Sequence, residues 1–202
     1  MCGRYDLSEN PAAIRARFSV PAVPDFAPSR DVRPTQRAPI IRINSLSAKR
    51  ECTLARWGLV PAWAKDLKFG ARCINARVET LARLPAYRAA FRNRRCLVPV
   101  SGFFEWSGPG AHRTKWRVTL DEQPLFALAG LWERWVEPHR GEPVETYTIV
   151  TTAANETLAP LHDRMPVIVA PDRYEDWLDP SRTQMELFVP VTEAGMRAQQ
   201  VG

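Results

Sequence analysis

The fold class follows from the segment Cys96-Leu97-Val98-Pro99-Val100-Ser101-Gly102-Phe103-Phe104-Glu105-Trp106. Apolar and aromatic side chains fill both sides of its Ser-Gly pair, and the proline opposes a continuous helix. Short apolar runs bounded by turn residues are typical of β-strands. We therefore predict two strands, Cys96 to Val100 and Phe103 to Trp106, separated by a tight turn.

The same pattern recurs along the rest of the chain. Further strands are predicted at Ala38 to Ile43, Cys52 to Trp57, Trp116 to Leu120, Leu125 to Trp132, Tyr147 to Thr152 and Val167 to Val169. The 18 prolines exclude long helices over much of the sequence. Short helices are predicted at Pro11 to Phe18, Pro85 to Arg94, Asn155 to Leu161 and Asp172 to Leu178.

These elements predict an α+β fold, with a mainly antiparallel β-sheet or barrel-like core and short peripheral helices. The chain has 202 residues, the size of one ordinary domain, and it contains no repeat, low-complexity tract or linker. We therefore expect a single domain over residues 1–202.

Composition excludes several classes of protein. No apolar run approaches the length of a membrane span, and no charged start precedes an apolar stretch as in export signals. Cysteines at positions 2, 52, 73 and 96 form no C-x-x-C pair, and the three histidines lack metal-ligand spacing. We expect a cytoplasmic protein, nucleoid-associated if bacterial, without metal or cofactor. Cys52, Cys73 and Cys96 fit small core residues.

Charge is distributed unevenly along the chain. Residues 1–101 contain 19 Lys and Arg against 7 Asp and Glu, whereas the whole chain has a net charge of only +6. Arginine predominates, and its planar guanidinium binds phosphate oxygens in pairs. The basic half therefore favours a nucleic-acid partner, although solvated helix faces would also account for these charges.

Cys2 offers unusual chemistry. Once Met1 is lost, one residue carries both a thiol and an α-amine, and that amine is more often uncharged at neutral pH than a lysine amine. The amine can condense with an aldehyde, and the thiol can then close a five-membered thiazolidine ring. The alternative is an ordinary buried cysteine.

Four segments contain more polar and aromatic side chains than packing requires. They are Cys2-Gly3-Arg4-Tyr5; the segment from Trp57 to Trp63, followed by Asn75-Ala76-Arg77-Val78-Glu79; Phe103-Phe104-Glu105-Trp106; and His162-Asp163-Arg164-Met165-Pro166.

In order and approximate spacing, these motifs resemble the SRAP family, the SOS-response-associated peptidase-like proteins. The resemblance covers almost the entire chain. It implies a compact β-rich fold whose basic groove holds single-stranded DNA. It also implies that Cys2, after loss of Met1, forms a thiazolidine crosslink with the ring-opened aldehyde of an abasic site and shields the lesion.

The resemblance further implies four catalytic residues: Cys2, Asn75, Glu105 and His162. Burial among aromatic rings should raise the pKa of Glu105 and suit it to proton exchange near neutral pH. His162 could donate to the sugar ring oxygen and promote ring opening, while the amide of Asn75 could orient the reactants without titrating. Predicted DNA-binding residues are Arg4, Arg33, Trp63 and Arg77, with Trp63 available for base stacking.

Two departures from the family pattern stand out. Arg30-Asp31-Val32-Arg33-Pro34 replaces the usual Tyr-Asn-x-Ala-Pro, so an acid stands where the family carries an amide. This change puts the local DNA contact in question. The segment from Phe188 to Thr192 keeps only a trace of the closing strand of the family.

Two other functions are compatible with these residues. One is an N-terminal-nucleophile peptidase or amidohydrolase, in which Cys2 attacks an external amide. The other is a non-covalent binder of single-stranded or modified DNA. Self-removal of Met1 is compatible with the crosslinking and peptidase hypotheses. The expected partner is single-stranded DNA containing abasic sites, bound by a monomer without contact to a membrane.

Overall fold

The computed structural model describes residues 2–109, 113–121, 123–138, 141–182 and 195–201. The described strands are β1 (Tyr5–Leu7), β2 (Ser29–Val32), β3 (Arg37–Ile43), β4 (Arg50–Trp57), β5 (Asn75–Arg77), β6 (Arg95–Val100), β7 (Gly102–Ser107), β8 (Thr114–Leu120), β9 (Phe126–Val136), β10 (Pro143–Ala153), β11 (Arg164–Pro166), β12 (Ile168–Val169) and β13 (Met196–Val201). The described helices are α1 (Pro11–Phe18), α2 (Arg88–Asn93) and α3 (Tyr174–Leu178), with 3-10 turns at Leu67–Arg72 and Pro171–Arg173.

Five strands close into a barrel. Around the ring, β3 pairs with β4, β4 with β10, β10 with β9, β9 with β6, and β6 with β3. Only the contact of β4 with β10 is parallel within this ring. Closure leaves these strands without open edges, and every residue of β6 is buried. The predicted α+β fold with a barrel-like core is therefore confirmed.

A second sheet packs beside the barrel, in the order β13-β8-β7-β1-β2. The turn at Ser101 joins the two layers, because the chain leaves β6 in the barrel and enters β7 in the second sheet. One cluster of buried apolar side chains includes Tyr5 of the second sheet and Tyr147 of the barrel. The two sheets therefore share one core among the described residues.

The helices follow the sequence prediction in part. Helix α1 spans the predicted residues, and the side chain of Asn10 accepts a hydrogen bond from Ala13 N–H at 3.0 Å. Helix α2 covers only the second half of the predicted Pro85 to Arg94. The helix predicted at Asn155 to Leu161 is wrong, since the segment forms successive turns. The residues from Phe188 to Thr192 lie outside the described part of the chain.

Buried residues agree with the predicted core. Trp57 has no exposed surface, and its indole N–H donates to Ile74 O at 2.8 Å. Cys73 and Cys96 are buried and Cys52 is half-buried. Among the described helices, none is long and apolar enough to cross a membrane.

Candidate active site

Strands β1 and β7 bring Cys2 and Glu105 together. The two strands pair antiparallel with Tyr5 opposite Phe103. Because successive residues continue this register, Glu105 lies beside Gly3, next to Cys2. The carboxylate is close enough for its charge to contribute to the raised pKa of the Cys2 thiol. Two of the four predicted catalytic residues therefore share one end of this strand pair.

Asn75 joins the same site from the barrel side. It begins β5, which runs parallel to β10 with Asn75 opposite Ile149. Its side-chain N–H donates to Cys2 O at 2.9 Å, and its own backbone carbonyl accepts from the Tyr87 hydroxyl at 3.0 Å. The Asn75 amide oxygen is buried without a hydrogen-bond partner among the described residues. Arg77, two residues later, is exposed.

Cys2 itself is buried. Its exposed fraction is 0%, and its thiol lies 3.7 Å from Arg4 O as a weak donor. Burial, and then the charge of Glu105, raise the pKa of the thiol, so the neutral S–H form is favoured at neutral pH.

Glu105 is 2% exposed. Burial raises the pKa of its carboxyl to about 7, and the negative charge of Asp163 also raises it. The carboxyl can therefore either donate or accept a proton near neutral pH. This agrees with the effect predicted from its aromatic neighbours.

His162 lies in the turn that leads into β11. Its Nδ1 accepts a hydrogen bond from Arg164 N–H at 2.9 Å and lies 2.8 Å from an Asp163 carboxylate oxygen. Burial lowers the pKa of the imidazole, which favours the neutral ring. Because Nδ1 accepts from a backbone N–H, the neutral ring carries its proton on Nε2. Asp163 is 82% exposed, so solvent screens its opposing charge.

An ion pair connects two of the sequence motifs. Both terminal nitrogens of Arg164 donate to Glu79, at 2.6 and 2.9 Å, and one also donates to Thr151 O at 2.7 Å. Glu79 and Arg164 both belong to the sequence motifs, but the motifs alone indicate no role for either residue. An acid and an arginine 85 positions apart give no local signal of their pairing.

Arg4 forms an ion pair with Asp31, the acid that departs from the family pattern. Its Nε and Nη2 donate to the two oxygens of Asp31 at 2.5 and 2.6 Å, and Arg33 Nε donates to Asp31 at 2.7 Å. These hydrogen bonds, that of Arg4 first, lower the pKa of the Asp31 carboxyl to about 2. The Arg4 guanidinium also lies 5.6 Å from the centre of the Trp106 ring.

Trp63 lies on an exposed part of the protein surface. It is 58% exposed and contacts Phe69 edge-to-face with ring centres 5.1 Å apart. Together with Lys65, Lys68 and Arg72 these rings line a cavity of about 420 Å³. An aromatic surface beside three cations fits a stacked base and its phosphate.

Neither the largest described cavity nor a metal cluster coincides with these residues. That cavity, of about 710 Å³, lies between the β3–β4 turn and the end of α3 and includes none of the predicted site residues. No three His, Cys, Asp or Glu side chains converge as metal ligands within the described ranges. The buried carboxyl and the chain start, rather than a large pocket, mark the candidate site.

Comparison with known proteins identifies the family. The family model for SOS response associated peptidase (SRAP) matches residues 1–202. The abasic site processing protein YoaM of Bacillus subtilis is 40% identical, with the alignment covering 100% of this chain and 91% of YoaM. The abasic site processing protein HMCES of Xenopus tropicalis is 26% identical over 82% of this chain and 59% of its own length.

Solved structures agree with this relationship. A crystal structure of a Bacteroides thetaiotaomicron protein superposes with a TM-score of 0.90 at 27% identity, covering 100% of this chain and 92% of that one. A Bordetella bronchiseptica protein gives a TM-score of 0.87 at 25% identity, with both chains fully covered. The chain belongs to the SOS response associated peptidase (SRAP) family.

Proposed function

We propose that this protein senses abasic sites in single-stranded DNA and shields them through a covalent thiazolidine crosslink at Cys2, exposed by removal of Met1. The observation that carries the proposal is the 2.9 Å hydrogen bond from Asn75 to the carbonyl of Cys2, with the buried Glu105 on the adjoining strand. The names of the YoaM and HMCES relatives, both abasic site processing proteins, support the same substrate.

The proposed reaction balances without a cofactor. The amine of Cys2 adds to the aldehyde of the ring-opened sugar, and loss of one water gives an imine. The thiol sulfur then adds to the imine carbon, while the thiol proton passes to the nitrogen. Aldehyde and aminothiol thus become a thiazolidine and one water, with no change in oxidation state.

Each polar residue has a proposed task in this sequence. Glu105 transfers protons during loss of water, because its pKa of about 7 allows both protonation states. The Nε2–H of neutral His162 donates to the ring oxygen of the closed sugar as that ring opens. Asn75 fixes the backbone of Cys2 and offers its amide oxygen to the amine or the sugar.

DNA would lie along cations and aromatic rings around this site. Arg4, Arg33 and Arg77 are proposed to hold phosphates near the lesion, and Trp63 to stack on a base. Such stacking contributes about 1–3 kcal/mol per base in single-strand binding. We propose a cytoplasmic location, associated with the nucleoid if the cell is bacterial. We propose that it acts as a monomer.

Removal of Met1 is part of the proposal. Cys2 is fully buried in the chain that carries Met1, so the mature protein must differ in the access it gives to Cys2. The family description as a peptidase favours self-cleavage, with Glu105 as the proton carrier. If Glu105→Ala retains Met1 in intact-mass spectrometry while the parent loses it, removal is autocatalytic. Normal removal in the variant would indicate a separate aminopeptidase.

The decisive experiment is a denaturing gel of mature protein with single-stranded DNA containing one abasic site. We expect a band of higher mass that survives denaturation and is absent with Cys2→Ala. Matched DNA with the abasic aldehyde reduced to an alcohol serves as the control, because it keeps the charge and shape of the lesion. A band that persists with Cys2→Ala, or with the reduced lesion, would refute the assignment.

A further inference from the structure

An ion pair joins two segments of the site. Glu79 follows β5, the strand that begins with Asn75, whereas Arg164 begins β11 directly after the turn that carries His162. The two side chains meet in a bidentate pair, with distances of 2.6 and 2.9 Å. Planar pairs of this kind restrict orientation as well as distance.

The backbone of Arg164 also contacts the His162 ring. Its N–H donates to Nδ1 of His162 at 2.9 Å, the contact that leaves the ring proton on Nε2. One of its guanidinium nitrogens donates to Thr151 O, and the same carbonyl accepts from Val78 N–H at 3.0 Å. The backbone before Glu79 and the side chain of Arg164 therefore share one anchor on β10.

The partners differ in exposure. The Arg164 side chain is 11% exposed, whereas that of Glu79 is 50% exposed. Removing the acid would leave a largely buried cation with a backbone carbonyl as its remaining acceptor. Loss of one member of such a pair is costly, because the other remains desolvated. Arg164, and with it the turn at His162, would then shift toward solvent.

We propose that Glu79 is a positioning residue: through its ion pair with Arg164 it fixes the position of the His162 ring and the hydrogen bond that its Nδ1 accepts. The inference rests on the proposed crosslinking function and assigns Glu79 a part in it. Glu79 does not contact the reacting atoms in this role. Its effect reaches the reaction through the histidine that donates to the sugar.

This role predicts opposite changes in binding and in reaction rate. Glu79 places a negative charge close to Arg77, a proposed phosphate contact. Removing that charge should leave non-covalent binding of single-stranded DNA unchanged or make it tighter. Misplacement of His162 should instead slow crosslinking. We expect Glu79→Ala to reduce the single-turnover rate at saturating DNA at least tenfold, with Glu79→Gln intermediate.

Glu156→Gln is the matched control. Glu156 is an exposed acid in the turns that precede His162, and its change likewise removes one negative charge. We expect a parental crosslinking rate from this variant. The ring nitrogens of His162, observed by ¹⁵N NMR without DNA, provide a readout that general destabilisation does not move. The signal of the accepting Nδ1 should be the same in the parent and in Glu156→Gln, and it should change in Glu79→Ala, where the hydrogen bond from Arg164 N–H is disturbed.

Three outcomes would overturn the inference: a parental rate in Glu79→Ala, a slower rate with unchanged His162 nitrogen signals, or a slower rate at subsaturating DNA that recovers fully at saturation. Rates are compared well below the melting temperature of each variant, so that unfolding does not contribute. If the parent itself forms no crosslink, the proposed function is wrong. The His162 signals then still decide whether Glu79 holds the His162 ring in place.

Discussion

Glu105 carries the most consequential ionisable group of the site. A carboxyl with an ordinary pKa would be almost fully charged at neutral pH and a poor acid. Burial raises the pKa of Glu105 to about 7, although the positive charge of the amino terminus opposes this rise. This residue therefore links a structural feature, the pairing of β1 with β7, to a proton transfer that imine formation requires.

The pH dependence of crosslinking should report this carboxyl. If protonated Glu105 assists the loss of water, its contribution falls as the pH rises through about 7. We expect the ratio of the parental rate to the Glu105→Gln rate to fall about tenfold from pH 6 to pH 8, since the protonated fraction falls by that amount. Taking the ratio removes the titration of the amine, which both proteins share.

Rapid-quench rates at saturating DNA measure this ratio. Both proteins are released from an N-terminal fusion by a protease that leaves Cys2 first, so that self-processing does not separate them. A ratio that does not change with pH would exclude Glu105 as the titrating acid.

Asp31 is a second residue whose charge bears on the proposed DNA contacts. Its two oxygens occupy Nε and Nη2 of Arg4, and it also binds Arg33. A phosphate that approaches Arg4 must compete with this carboxylate. Asp31, the acid in place of the family amide, therefore restrains Arg4 and Arg33, two proposed DNA contacts.

Replacing Asp31 with asparagine should release Arg4 and Arg33. We expect Asp31→Asn to bind single-stranded DNA several-fold more tightly at low salt. The slope of log affinity against log salt should steepen by about 0.7 for each additional phosphate that the released arginines neutralise. Fluorescence anisotropy with intact single strands measures both quantities. Weaker binding would instead mean that Asp31 orients Arg4 for the phosphate.

At the scale of elements, the barrel strands were predictable because each contains a short apolar run that indicates a strand without reference to distant residues. β3, β4, β6, β9 and β10 each match a predicted strand, with ends shifted by a few residues. The missed strands β1, β2, β5, β11 and β13 are three to six residues long and partly polar. Their extended conformation depends on partners distant in sequence, which local propensity does not report.

The failed helix has a local cause. In the segment from Asn155 to Leu161, the side chain of Asn155 accepts from Leu158 N–H at 3.1 Å and stabilises a turn. The same contact caps α1 at Asn10, so this turn alone does not prevent a helix. Pro160 then prevents the turns from continuing as a regular helix.

The motifs predict a set of candidate site residues, but not the contacts between them. The motifs indicated Cys2, Asn75, Glu105 and His162, and the structure places the first three in direct or neighbouring contact. The pairing of Arg4 with Asp31 and that of Arg164 with Glu79 arise from tertiary structure alone. Such pairs decide which cations remain available to a ligand, so charge counts from sequence overstate the DNA-binding capacity of the basic half.

The close approach of two glycines shows the same dependence on tertiary structure. A Cβ on Gly70 would lie 2.4 Å from Gly58 O, so only glycine allows the 3-10 turn at Leu67–Arg72 to reach the segment before Trp63. This contact places Phe69 against Trp63. The position of the exposed Trp63 ring against Phe69 thus follows from backbone packing.

At the scale of the whole molecule, the basic half of the sequence divides into paired and exposed arginines. Arg42 and Arg50 of the barrel strands pair with acids from the second half of the chain, Glu145 and Glu175. Internal neutralisation of this kind removes them from phosphate binding. Arg77, by contrast, is exposed next to Asn75 and the start of the chain. Electrostatic attraction of DNA should therefore be concentrated near the candidate active site.

Comparison of two exposed arginines tests this distribution of charge. Arg77→Ala should weaken binding to single-stranded DNA and make the salt slope shallower by about 0.7, the value for one phosphate that is no longer neutralised. Arg134 serves as the matched control, because it is exposed on β9, beside the cavity that also includes Arg42 and Trp132. Arg134→Ala should leave affinity and slope at their parental values, although both variants change the net charge equally.

Anisotropy titrations at several salt concentrations distinguish local binding from net charge. Equal losses in the two variants would show that DNA responds to the overall field of the protein rather than to a bound path beside Cys2. A loss confined to Arg77→Ala, with crosslinking restored at saturating DNA, would assign Arg77 to holding the strand. Reaction at the abasic sugar would then depend on Cys2, Asn75, Glu105 and His162, because binding and chemistry respond to different substitutions.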